Sequence, residues 1–141
     1  FPYTTLFRSD VFDARPTHLD SHHSVHDMNE IMLRITQRLA QEYELSFRRG
    51  SRYQFVPGFY GSTVTREALI QLLSEHLNED IEIMTHPGFC DLTLYRESSD
   101  SWQRVQELDV LCSQEVQFFV QEKGIELAHY SSLEVWTSWT D

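Results

Sequence analysis

The sequence is short of several things, and each shortage excludes something. Among its 141 residues there are only two cysteines, Cys90 and Cys112. They make neither a CxxC pair nor a disulfide framework, so reduced thiols in a cytoplasmic protein are the expectation. No apolar run approaches the ~20 residues that a membrane-spanning helix needs. Basic residues number 11 against 22 acidic ones, for a formal charge of -11. A surface so poor in cations suits neither nucleic acid phosphates nor an anionic membrane, and leaves neutral or cationic substrates open. With 5 glycines and 4 prolines, the sequence has no low-complexity run, internal repeat or long linker. At this length the chain is one domain that can bury a core.

Histidine is concentrated in one place. Pro16 to Met28, PTHLDSHHSVHDM, holds His18, His22, His23 and His26 together with Asp20 and Asp27. Neutral imidazole and carboxylate are the usual nitrogen and oxygen ligands of divalent metals. As a strand running into a helix, the stretch puts His18, Asp20 and His22 on one face, because side chains alternate with period two. A polar row at the C-terminal end of a strand is where α/β folds place active sites. A loop in which each ring merely bonds a neighbour accounts for the same residues, and no short zinc signature such as HExxH decides between them.

Ser24 is the expected N-cap of the next helix, with Asp27 in its first turn. Met28, Ile31, Met32, Ile35 and Leu39 recur at helical spacing and read as a core stripe, with the helix ending near Glu44. Leu45 to Arg48 alternates as a short strand. Arg48, Arg49 and Arg52 cluster in an acidic chain, either as a solvated turn or as contacts for a substrate or carboxylate. Phe55 to Ser62, with Phe59 and Tyr60, suits a binding rim on which sugar rings pack, and equally a small core cluster. Thr65 caps a helix with apolar Ala68, Leu69, Leu72, Leu73 and Leu77. Ile81 to His86 alternates as a strand that Pro87-Gly88 ends. Ser98 to Asp100 open a long helix buried through Val105, Leu108, Leu111, Cys112, Val116, Phe119 and Val120, and Gly124 closes it. Ile125 to Tyr130 reads as a last strand; Trp136 and Trp139 in the tail have no assignment. Helices alternating with strands imply an α/β fold with a mostly parallel sheet.

Four segments resemble one family. PTHLDSHHSVH resembles the PTHLDSHHHVH segment of the YdjC-like carbohydrate deacetylases, which include the chitooligosaccharide deacetylases. EIMTHPGF, from Glu82 to Phe89, resembles that family's E-(I/V)-M-x-H-P-(G/A)-(F/Y). Phe59-Tyr60-Gly61 and RVQELDVL, from Arg104 to Leu111, are similar to two further segments, and the order and spacing fit from roughly Asp13 to Leu133. The first nine residues, FPYTTLFRS, resemble translated adapter sequence and are set aside; residues 10–141 then read as a C-terminal portion.

The resemblance implies the second half of a distorted (β/α) TIM-like barrel with mostly parallel strands. It implies a hydrolase that removes acetyl groups from N-acetylated oligosaccharides with a divalent metal, magnesium first, with zinc and manganese as alternatives. His22 maps onto a metal ligand and His86 is the candidate proton donor. Asp20 would orient His22. His18, His26, Phe59, Tyr60 and Arg48 are candidates for lining the site, and a homodimer stays open. Two departures matter. Ser24 stands where the family pattern has a third consecutive histidine, and nothing resembles the N-terminal NADDFG segment that carries the other ligands and the base. A fragment inactive alone is the expectation, with a non-catalytic sugar- or metal-binding remnant as the alternative. A glycosidase would need paired catalytic carboxylates, which no motif here proposes.

Overall fold

The computed structural model describes residues 15–99 and 101–132. The first segment, Trp136 and Trp139 lie outside the described residues. Two compact units divide the chain. Residues 53–127 form one, and the residues on either side of them in sequence form the other.

In the flanking unit, β1 (His18–Leu19) pairs in parallel with β2 (Ser46–Phe47), His18 opposite Ser46 and Leu19 opposite Phe47. A 3-10 turn over His22–Asp27 and helix α1 (Glu30–Tyr43) connect them. The strand stops short of the expected His22. Asp20 takes the Ser21 N–H onto its own carboxylate at 2.8 Å, a local bond that competes with a strand ladder. Nor does Ser24 cap the helix: it sits at φ 53, in the left-handed region, and Asn29 caps instead by accepting the Met32 N–H at 3.0 Å.

The predicted apolar stripe is also displaced. Thr36 and Ala40 are the buried positions of α1, while Met28, Ile31 and Ile35 are 65%, 71% and 47% exposed. Small residues let the helix lie close to its surroundings. The Thr36 hydroxyl is shared between the carbonyls of His26, at 3.0 Å, and Met32, at 2.9 Å. The helix ends where expected, with Glu44 left-handed at φ 52. The fully buried Phe47 closes this unit from β2. Gly50 lies against its ring so closely that an added Cβ would overlap it.

In residues 53–127, β3 (Gln54–Phe55) pairs in parallel with β4 (Ile81–Glu82). Helix α2 (Arg66–Glu75) joins them, capped as expected by Thr65, which accepts the Ala68 N–H at 3.1 Å. Then come α3 (Leu92–Glu97), α4 (Trp102–Leu111) and α5 (Gln114–Glu122). Helix α3, capped by Asp91, was not expected. The predicted long helix is two, broken at Ser113, whose extended backbone and hydroxyl cap α5. Gly124, at φ 63, ends α5 as expected. Ile125 to His129 makes no strand; a 3-10 turn follows over Tyr130–Ser132.

The core of this unit is Phe59, Val64, Leu69, Val110 and Val116, with Ile83, Leu111 and Val120 among the residues packed against it. The class is therefore α/β with parallel pairing, in ladders of two residues per strand. No helix among the described residues is long and apolar enough to cross a membrane.

Candidate functional site

The histidine loop of the flanking unit is tied down by charge. Asp20 accepts from Arg48 at 2.6 Å through one oxygen and from the Ser21 N–H through the other. Asp27 pairs with Arg49 at 3.0 Å. The basic cluster at Arg48 and Arg49 thus meets carboxylates of its own chain.

His26 is the buried member, 5% exposed. Its backbone N–H donates to Ser21 Oγ at 2.9 Å, and its Nδ1 lies 2.7 Å from that same oxygen. Asp20 is 3.7 Å from Nδ1, and Nε2 is buried without a hydrogen-bond partner. His22 and His23 are exposed, their rings edge-to-face with centroids 4.0 Å apart. His23 and Ser24 both adopt φ 53, so the chain reverses directly after His22. Consecutive left-handed residues without glycine cost roughly 1–2 kcal/mol each, and such outliers gather at functional sites. His18 is bonded to Thr17 at 2.9 Å and stacked on Tyr130 with centroids 4.2 Å apart.

Among the described residues no group of three His, Cys, Asp or Glu side chains could hold a metal. One exposed imidazole falls short of the three protein ligands that catalytic sites commonly use. His22 could give one ligand; these residues do not make a metal centre on their own.

Residues 53–127 hold the second candidate, His86. It lies beyond the end of β4, in a stretch without regular secondary structure, rather than on the strand. Its backbone N–H donates to Glu107 of α4 instead of to a ladder partner. Gly88 likewise donates to the Arg104 carbonyl at 3.1 Å, so the His-Pro-Gly segment is strapped to α4. Tyr60, 56% exposed, lies edge-on to the His86 ring with centroids 6.4 Å apart. Its loop is pinned by Thr63, which accepts the Tyr60 N–H at 3.0 Å and donates to the Gly58 carbonyl. Gly58, at φ 114, takes a backbone conformation that side chains resist. Phe59 points the other way, 3% exposed in the core. Of the two readings its aromatic ring allowed, this placement is the core one.

Sequence reasoning passed over Glu107, which is only 1% exposed. The signal was present. A carboxylate three and four residues before Val110 and Leu111 sits on the buried face of its helix. A buried carboxylate needs a partner.

Strands paired in parallel, helices between them and histidine-bearing loops following the strands define an α/β protein. The family model for YdjC-like proteins matches residues 8–122, and the chain belongs to that family. A carbohydrate deacetylase of Enterococcus faecalis V583 is 37% identical over 84% of this chain and 53% of its own length. A carbohydrate deacetylase of Clostridium beijerinckii is 35% identical over 86% and 55%. A chitooligosaccharide deacetylase of Enterobacter sp. strain 638 is 30% identical over 88% and 56%. A crystal structure from Enterococcus faecalis V583, described as a candidate cellobiose-phosphate cleavage protein, superposes with a TM-score of 0.75. It is 33% identical, over 85% of this chain and 54% of that one. The chain spans about half the length of the curated relatives it matches.

Proposed function

We propose that this chain is the C-terminal portion of a metal-dependent hydrolase that removes acetyl groups from N-acetylated sugars such as chitooligosaccharides. Its fold would then be the second half of a distorted (β/α) barrel. The observation that carries the reading is that the family match takes in both histidine loops at once. Relatives named as carbohydrate or chitooligosaccharide deacetylases support the substrate class.

In this reading His22 gives one ligand to a magnesium ion, or to zinc or manganese, and the remaining ligands come from outside the described residues. Asp20 and Arg48 hold the His22 loop in place, with His26 packed beneath it. His86 delivers a proton to the departing amine, and the exposed Tyr60 beside it offers an aromatic edge and a hydroxyl to the sugar. His18 stacks on Tyr130, and Phe59 anchors the neighbouring end of the Tyr60 loop in the core.

Acetate release from diacetylchitobiose, with and without added magnesium, tests this in the complete reading frame. His22→Ala should abolish metal-dependent turnover, and His86→Ala should lower kcat by roughly 10²–10⁴, the usual share of a positioned acid. The 141-residue chain alone should release no acetate. A complete protein that binds chitooligosaccharide yet releases no acetate from it would favour a non-catalytic sugar-binding relative. Cleavage of a phosphorylated disaccharide, without acetate, would favour the reaction in the superposed structure's description.

A further inference from the structure

Glu107 addresses His86 at two points. One carboxylate oxygen accepts the His86 backbone N–H, and the other lies 4.0 Å from the ring's Nδ1. The carboxylate is 1% exposed and the histidine side chain 36% exposed. His86 Nδ1 is itself buried, with no hydrogen-bond partner. A neutral imidazole carries one N–H, on either nitrogen. A proton on Nε2 would leave the Nδ1 lone pair facing a carboxylate in a dry setting, an acceptor set against an acceptor. A proton on Nδ1 turns a donor toward the carboxylate instead. At 4.0 Å the contact is longer than a hydrogen bond, but such contacts commonly tighten only when substrate binds.

We propose that Glu107 is the positioning residue of His86: it fixes the ring's orientation and its Nδ1–H tautomer, so that Nε2 is the nitrogen presented to substrate. The catalytic meaning of this rests on the deacetylase reading; the tautomer itself does not. When water adds to the acetamide carbonyl and the carbon–nitrogen bond breaks, the amine nitrogen takes the Nε2 proton of a doubly protonated ring. The ring's remaining proton is then already on Nδ1, aimed at Glu107. No group has to rotate between giving the proton and receiving the next one.

The test is a two-bond proton–nitrogen spectrum of the histidine-labelled 141-residue chain, at a pH where the rings are neutral. His86 should show a pyrrole-type signal at Nδ1 and a pyridine-type signal at Nε2. Glu107→Gln makes the decisive contrast. Its amide oxygen must still accept the His86 N–H, which turns the amide NH₂ toward Nδ1. Nδ1 then becomes the acceptor and the tautomer should reverse, whereas Glu107→Asp should keep the wild-type tautomer. An Nε2–H tautomer in the wild-type chain overturns the proposal even if neither variant folds. An unchanged tautomer in a folded Glu107→Gln chain overturns it as well. In the complete protein, Glu107→Gln should lower kcat roughly tenfold or more with KM nearly unchanged, as expected of an interaction expressed in the transition state. Absence of acetate release from that protein would remove the deacetylase reading and leave the tautomer result standing.

Discussion

Two histidine loops, one in each unit, are held by contrasting means. Around His22 the fastening includes two ion pairs, each with one partner open to solvent: Asp20–Arg48, with side chains 37% and 19% exposed, and Asp27–Arg49, with side chains 8% and 46% exposed. Around His86 it is one carboxylate sealed from water, with a hydrocarbon cluster close by in the same unit. Pairs near solvent exchange one set of favourable contacts for another and contribute little net stability. A buried acceptor taken from its donor leaves that donor unsatisfied, which costs more. The first loop is thus adjustable at small cost, as suits a ligand that needs further partners. The second is fixed, as suits a group whose orientation matters.

Core substitutions test whether each loop depends on its own unit. Phe47→Ala should cost about 3–5 kcal/mol, the usual range for deleting a buried aromatic ring. Denaturant unfolding monitored by circular dichroism reads the loss. Leu69→Ala, at 3% exposure in residues 53–127, should cost about 2–5 kcal/mol by the same rule. If Leu69→Ala raises amide exchange around His22 as much as around His86, the division into separately fastened loops is wrong.

Gly50→Ala should come next, at about 1–3 kcal/mol, because the new methyl group meets the Phe47 ring and the core must shift. A smaller ring partner should relieve it, so Gly50→Ala combined with Phe47→Leu should lose less than the two single losses added together. Strict additivity in that unfolding cycle would contradict the contact.

Removing the Asn29 cap by Asn29→Ala should cost about 1 kcal/mol. Fraying should start at the first turn of α1, and amide exchange at Met32 reports it directly. The smallest effect belongs to Asp20→Asn, about 0–1 kcal/mol at low ionic strength. Most of it should vanish in about 1 M salt, where screening acts over roughly 3 Å. A loss that persists at high salt would show the Asp20–Arg48 pair to be as sealed as Glu107, and the contrast between the loops would fail.

What could be read beforehand followed local rules. Thr65, Glu44 and Gly124 were legible as helix ends because capping depends on a few neighbouring atoms. Parallel pairing was legible from the alternation of helices and strands. The misplaced features depended on side-chain bonds, some local and some distant, that neither alternation nor helical periodicity shows. Strand length at His18 and Ile81 was overestimated because Asp20 and Glu107 capture backbone N–H groups that a ladder would otherwise use. The apolar stripe of α1 failed because the helix lies close on Thr36 and Ala40, where a hydroxyl serves better than a larger hydrocarbon. Helix periodicity runs through Ser113 without interruption, and only the serine's liking for caps betrays the break. Glu107 lies in the RVQELDVL segment, yet its role appears only once α4 is seen to face the His-Pro-Gly segment.

The reversal at His23 and Ser24 also acts as a filter on substitution. Both positions sit at φ 53, a conformation that histidine, asparagine, aspartate and glycine tolerate and that β-branched side chains resist. A histidine at position 24 would therefore meet the same backbone demand as the serine found there, although only the histidine would carry an imidazole. Replacement of Ser24 by histidine, asparagine or glycine should leave the loop's path unaltered, whereas valine or isoleucine should push His22 out of place without touching any group that bonds to it. Change at this position is thus confined by torsion rather than by chemistry, and a residue two places from a candidate ligand can change its identity while the ligand keeps its address.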